Sequence, residues 1–144
     1  MTGVQTCALP ILAAISAHNC YSVADNPATS LAATLQRIHD AQADGADLIE
    51  LDIKSEGGVV YVDHDDKGTT QGAYLKDVLA DPALRSGDQI LFIESKETQA
   101  DLAYIYKLLT HLAVNGYARP GRPVVIRSFN NIRLNLTLTR VALR

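Results

Sequence analysis

In residues 47–53 (DLIELDI) two acids lie two residues apart in the otherwise apolar run that follows Asp47. Such a run reads as a β-strand. Residues two apart on a strand point to the same side, so Glu50 and Asp52 share a face. Leu48, Ile49, Leu51 and Ile53 imply that either face of this strand is covered. Two carboxylates on a covered face are costly unless a cation lies between them. Magnesium and calcium are hard ions that take carboxylate oxygens, so the pair predicts a divalent-cation site. Glu94 ends a second apolar run, residues 89–94 (QILFIE), and places a third acid at an equivalent point.

The rest of the chain alternates strand and helix signals. Residues 11–17 form a short apolar run that reads as a strand ending at His18. Residues 20–29 carry Ser22, Asp25, Asn26 and Pro27 and read as loop. Ser30 is the expected cap of a helix with an apolar stripe of Leu31, Leu35 and Ile38, stopped by Gly45. Glu56-Gly57-Gly58 reads as a turn into a short strand, residues 59–62 (VVYV). His64 follows that strand among Asp63, Asp65 and Asp66. Residues 73–84 are expected to be a short helical region. Leu102, Ile105, Leu109 and Leu112 mark the clearest helix, ended by Asn115-Gly116. Residues 124–128 (VVIRS) read as a strand. The tail alternates Ile132, Leu134, Leu136 and Leu138 with polar residues, which is strand periodicity where a βα pattern wants a helix.

This alternation predicts an α/β fold with parallel βα units. The four main strands are nearly continuous in Val, Ile and Leu, which suits a sheet covered on both faces. In a parallel β/α barrel the carboxyl ends of the strands meet on one face, where the site is built. His18, Glu50, Asp52 and Glu94 all lie at or near such ends. Two histidines and three acids there suit phosphoryl chemistry: a metal to stabilise charge on the phosphate oxygens, and a proton acceptor and donor for nucleophile and leaving group.

Composition narrows the classes. Of 144 residues, 47% are hydrophobic and the net charge is −3, which suits one buried core and gives no basic footprint for nucleic acid or anionic membranes. No apolar run is long enough to span a bilayer. Cys7 and Cys20 make a poor disulfide framework. There is no repeat, low-complexity tract or linker. Residues 1–11 (MTGVQTCALPI) resemble a translated sequencing adapter, which would place them and Cys7 outside the fold. The competing reading, a signal peptide, lacks a positively charged leader. The compartment therefore stays open.

Taken together, Ala17-His18, Gly45–Asp52 (GADLIELD), Gly57–Val60 followed by His64-Asp65, and Glu94-Ser95-Lys96 resemble the phospholipase-C-like phosphodiesterase superfamily. The nearest branch is the glycerophosphodiester phosphodiesterases. The resemblance runs over residues 12–129. It implies a TIM-type (β/α) barrel hydrolysing phosphodiesters, with glycerophosphodiesters or lipid headgroups as substrates and Mg²⁺ or Ca²⁺ as cofactor. It implies His18 and His64 as the acid–base pair, Glu50, Asp52 and Glu94 as metal ligands, and Lys96 near the phosphate. Where glycerophosphodiesterases follow the first histidine with Arg-Gly, this chain has Asn19-Cys20-Tyr21. That start is similar to phosphoinositide-specific phospholipases C and makes Asn19 a further expected ligand. Sphingomyelinase-D-like enzymes share the skeleton. A complete barrel takes about 250 residues. Residues 12–144 are thus expected to be roughly its first half, strands one to four, cut short at the C-terminus. An isolated half would expose an open edge and apolar surface, and is expected to be unstable or inactive.

Plainer readings compete. A non-catalytic barrel binding a phosphorylated ligand would need no acid–base pair. An enolising metal enzyme would place its acids on later strands. His39 and His111 fall in helical segments and are expected to be structural, Tyr61 and Tyr74 to be packing residues, and Cys20 a small core residue.

Overall fold

The computed structural model describes residues 14–64, 72–97, 102–117, 120 and 123–128. The adapter-like start, Asp65, Asp66, Phe129 and the alternating tail lie outside these residues. The described chain is a mixed α/β structure. Its elements are β1 (Ser16–Ala17), α1 (Pro27–Ala43), β2 (Leu48–Glu56), β3 (Val59–Val62), β4 (Ala73–Tyr74), α2 (Leu75–Leu79), α3 (Pro82–Ser86), β5 (Ile90–Ser95), α4 (Leu102–Val114) and β6 (Val124–Ser128). The strands form one sheet in the order β4-β3-β2-β5-β6, with β1 also on β2. β1, β2, β5 and β6 run parallel, β3 pairs antiparallel with β2, and β4 pairs antiparallel with β3. No helix among the described residues is long and apolar enough to cross a membrane.

β2 is the organising strand. One edge pairs with β5 from Leu48↔Ile90 to Ile53↔Ser95. The other edge is shared. β1 takes its beginning, Leu48 and Ile49, and β3 takes its end, Ile53 to Glu56. Between them Cys20 N donates to Glu50 O and Asp63 N donates to Asp52 O. The hairpin from β2 to β3 closes through Gly57 (φ 56°) and Gly58 (φ 75°). Two positive φ values in a two-residue turn are the twist-matched hairpin geometry that side chains resist.

Pleating divides β2 and β5 into two faces. Ile49, Leu51, Ile53, Leu91 and Ile93 form one, and all are at most 1% exposed. They join Ile38 of α1, Leu75 and Leu79 of α2, Leu84 of α3, and Leu108 and Leu112 of α4 in a single core. The opposite face carries Glu50, Asp52, Phe92 and Glu94. Among the described residues the helices cover the apolar face, and the opposite face is also buried at Glu50, Asp52 and Glu94.

Three local expectations need correction. α1 starts at Pro27, and its cap is Asn26, not Ser30. Asn26 Oδ1 accepts from the amides of Ala28 and Thr29 at 3.0 and 3.1 Å, with Pro27 in the first turn. An Asn-Pro start with Thr three residues on is a strong helix signal that the loop reading of residues 20–29 overlooked. Ser30 is buried inside the helix, where its Oγ accepts from Ala24 N at 2.8 Å. Residues 73–84 are not one helical region. They hold a two-residue strand and two short helices, because Pro82 lacks the N–H that a continuing helix needs. The first strand is described only at Ser16–Ala17.

Asp81 caps α3 through Leu84 N (2.8 Å) and receives His39 Nε2 of α1 at 3.0 Å. Burial alone would raise its carboxyl pKa, yet the hydrogen bonds from His39 and Leu84 outweigh it and hold it below the usual value. A depressed carboxyl stabilises the fold above the unfolded value of 3.8 and stops doing so as pH falls through the lower folded value. Asp81→Ala is expected to cost about 1–2 kcal/mol at neutral pH. In urea melts the gap to the unaltered chain should narrow as pH falls below 3.8 and through the lower folded value, and a gap independent of pH would contradict this.

Candidate functional site

The site lies on the β2–β5–β6 face opposite the helices. Register sets it: Asp52 pairs with Glu94, and Glu94 pairs with Arg127, so acid, acid and base form one row across three parallel strands. Glu50 stands two residues back on β2, on the same side. Glu50, Asp52 and Glu94 are 6%, 1% and 1% exposed, and each offers an oxygen within 4.8 Å of the others. The three expected ligands thus converge.

Each carboxylate has neighbours. His18 Nδ1 is 2.6 Å from Glu50 Oε2. Tyr21 Oη donates to Asp52 Oδ2 at 2.7 Å. Lys96 Nζ donates to Glu94 Oε1 and lies 3.4 Å from Asp52 Oδ2. Arg127 Nε donates to Glu94 Oε2 at 3.0 Å, Nη2 donates to the same oxygen, and Nη2 lies 3.6 Å from Glu50 Oε1. Burial alone would raise the Glu94 carboxyl, but hydrogen bonds from Lys96 and Arg127, with their charges, hold it below the usual range. Burial likewise works to lower Lys96, and its contacts with Glu94 and Asp52 prevail and raise it.

Two oxygens are left over. Glu50 Oε1 and Asp52 Oδ1 are buried and accept no hydrogen bond among the described residues. A buried carboxylate oxygen without a donor is a destabilising feature that calls for a reason. Among the described residues three acids face two cationic side chains, Lys96 and Arg127, with His18 beside Glu50. Bare, hard oxygen donors on clustered carboxylates fit a divalent cation of the magnesium or calcium type.

The segment after β1 is fastened on both sides. Ser22 N donates to Thr34 Oγ1 at 3.0 Å and Ala24 N to Ser30 Oγ, so the polar stripe of α1 holds this loop. Asn19 has φ 54°, the single positive φ outside glycine among the described residues. Such a backbone is uncommon in side-chain-bearing residues and clusters at functional sites. Asn19 Oδ1 lies 3.4 Å from Tyr21 Oη, whose shorter bond goes to Asp52. Cys20 is buried with Sγ toward Ala17 O, and burial pushes its thiol pKa up, as suits a packing residue.

β3 returns toward the site from the other end. Asp63 is buried, bonds Asp52 O through its amide, and faces Lys54 Nζ at 3.6 Å. His64 follows it and is exposed. The backbone therefore brings both histidine-bearing segments to the Glu50–Asp52 stretch. The helical histidines lie elsewhere: His39 supports Asp81, and His111 is half-buried in α4. Tyr61 and Tyr74 pack ring to ring with centroids 5.3 Å apart.

Two residues of the site escaped the sequence reading. Tyr21 had a signal, an aromatic hydroxyl three residues after His18. Arg127 had a fainter one, a lone cation in the VVIRS run, whose meaning depends on register. The chain matches no known protein family, curated protein or solved structure in comparison with each.

Proposed function

We propose that this chain forms roughly the first half of a TIM-type (β/α) barrel and serves a divalent-metal-dependent phosphodiester hydrolase acting on glycerophosphodiesters or phospholipid headgroups. The observation that carries this reading is the pair of bare, buried oxygens, Glu50 Oε1 and Asp52 Oδ1, within the Glu50–Asp52–Glu94 cluster. The order of the His18, GADLIELD, His64-Asp65 and Glu94-Ser95-Lys96 elements supports it. Glu50, Asp52 and Glu94 would hold the ion, with Asn19 as a further ligand. Bound there, the ion would supply charge stabilisation to the phosphate oxygens.

The side chains divide the remaining work. With Nδ1 directed at a carboxylate, a neutral His18 carries its proton there and its lone pair on Nε2, where it can accept a proton. His64 is the complementary partner across the Glu50–Asp52 stretch. Lys96 lends positive charge to the phosphate.

Calorimetric titration with Mg²⁺ and Ca²⁺ tests the reading, alongside ³¹P NMR of glycerophosphocholine. For the complete barrel of which this chain is proposed to be the first half, the expected result is one bound ion and diester cleavage that EDTA stops. Cleavage insensitive to EDTA, or no ion bound at millimolar concentration, would overturn it. Ion and diester bound without cleavage would move the assignment to a non-catalytic binding barrel.

A further inference from the structure

Glu94 differs from the other two acids because both its oxygens are engaged by cations, Oε1 by Lys96 and Oε2 by Arg127. The two cations are not held alike. Lys96 has a second carboxylate 3.4 Å away on Asp52, and its side chain is 21% exposed. The Arg127 side chain is 40% exposed, and its Nη2 also lies 3.6 Å from Glu50 Oε1, one of the two oxygens without a hydrogen bond among the described residues. Its guanidinium lies over the Phe92 ring, 4.8 Å from the centroid. An ion on Glu50 and Asp52 would put like charge beside that guanidinium and weaken its hold on the acids.

We propose that Arg127 is a phosphate-binding residue of this site, one that pairs with Glu94 and passes to the phosphodiester when a divalent ion takes the carboxylates over. This rests on the metal-dependent phosphodiesterase reading. The chemistry suits the exchange. A guanidinium is cationic at every working pH and presents a planar fork that matches two phosphate oxygens as well as it matches a carboxylate. The Phe92 face supports that plane whichever anion it meets. The register puts Arg127 on β6, directly across from Glu94, so a short swing changes its partner.

The test uses the full chain and two equilibrium readouts, Mn²⁺ affinity and, in saturating Mn²⁺, affinity for dimethyl phosphate, a diester too inert to be cleaved during the measurement. Arg127→Gln removes a competitor of the ion and a ligand of the phosphate. Mn²⁺ is expected to bind several-fold tighter, and dimethyl phosphate about tenfold to a hundredfold more weakly. A merely structural ion pair would shift both readouts downward or neither, and either result overturns the proposal. Arg127→Lys keeps the charge without the fork and serves if the Gln variant does not fold. It should bind Mn²⁺ like the unaltered chain and dimethyl phosphate more weakly, and unchanged dimethyl phosphate binding would overturn the proposal. If the unaltered chain takes no Mn²⁺, the metal reading falls and this one with it. If it takes Mn²⁺ and Arg127→Gln binds dimethyl phosphate normally, only the role of Arg127 falls.

Discussion

In the complete barrel proposed above, a His18→Ala substitution is expected to lower phosphodiester turnover by about 10²–10⁴-fold, with divalent-ion affinity nearly unchanged. The split follows from where His18 stands. It touches Glu50 through Nδ1 at 2.6 Å, but its side chain is 67% exposed, so its loss opens no cavity. Glu50 Oε1, the oxygen without a donor, is untouched by the change. Water can replace the lost donor at Oε2. Turnover measured beside a calorimetric ion titration separates the possibilities. Loss of both would make His18 part of the ion's support, and retention of both would remove it from the chemistry.

Glu50→Gln is expected to act in the opposite sense on stability and on binding. Gln keeps the shape and removes one negative charge from a buried cluster that has three acids and two cationic side chains. Its amide also brings a donor to a region where two oxygens accept no hydrogen bond among the described residues. The ion-free variant should therefore melt at a higher temperature than the unaltered chain, by an amount on the order of 1 kcal/mol. Added Mg²⁺ or Ca²⁺ should then raise its melting point little, because stabilisation by a ligand scales with its affinity. Thermal melts with and without ion give both numbers. A variant that melts lower without ion and responds to ion like the unaltered chain would show that the cluster is only an ion-pair network.

The parts of the fold that could be read from sequence are those with short-range causes. The alternation of DLIELDI places both acids on one face whatever the tertiary context. The Gly57-Gly58 turn needs positive φ, and Asn115-Gly116 ends α4 for a local reason. The short elements were harder. At residues 73–84 the apolar spacing suggested one helix, and a single proline and a two-residue edge strand decided otherwise. Asn26-Pro27 was visible, but a cluster of turn-forming residues hid a cap. The site was legible in its acids, which an apolar strand makes conspicuous. Its cations were legible only in part. Lys96 lies next to a recognisable acid, whereas Arg127 becomes meaningful only through the pairing of β5 with β6, a contact 33 residues away in sequence.

The divided edge of β2 has a consequence for how the protein opens. A single long neighbour would peel from its end and leave distant residues in place. Here two short segments meet near the middle, and the amides that secure them, those of Cys20 and Asp63, bond to the backbone of Glu50 and Asp52 themselves. Cys20 follows His18 by two residues and Asp63 precedes His64, so loosening of either segment is expected to displace a histidine together with the backbone beside a carboxylate. Hydrogen exchange at the Cys20 and Asp63 amides is therefore expected to report exposure of the acids earlier than exchange along the parallel β2–β5 ladder.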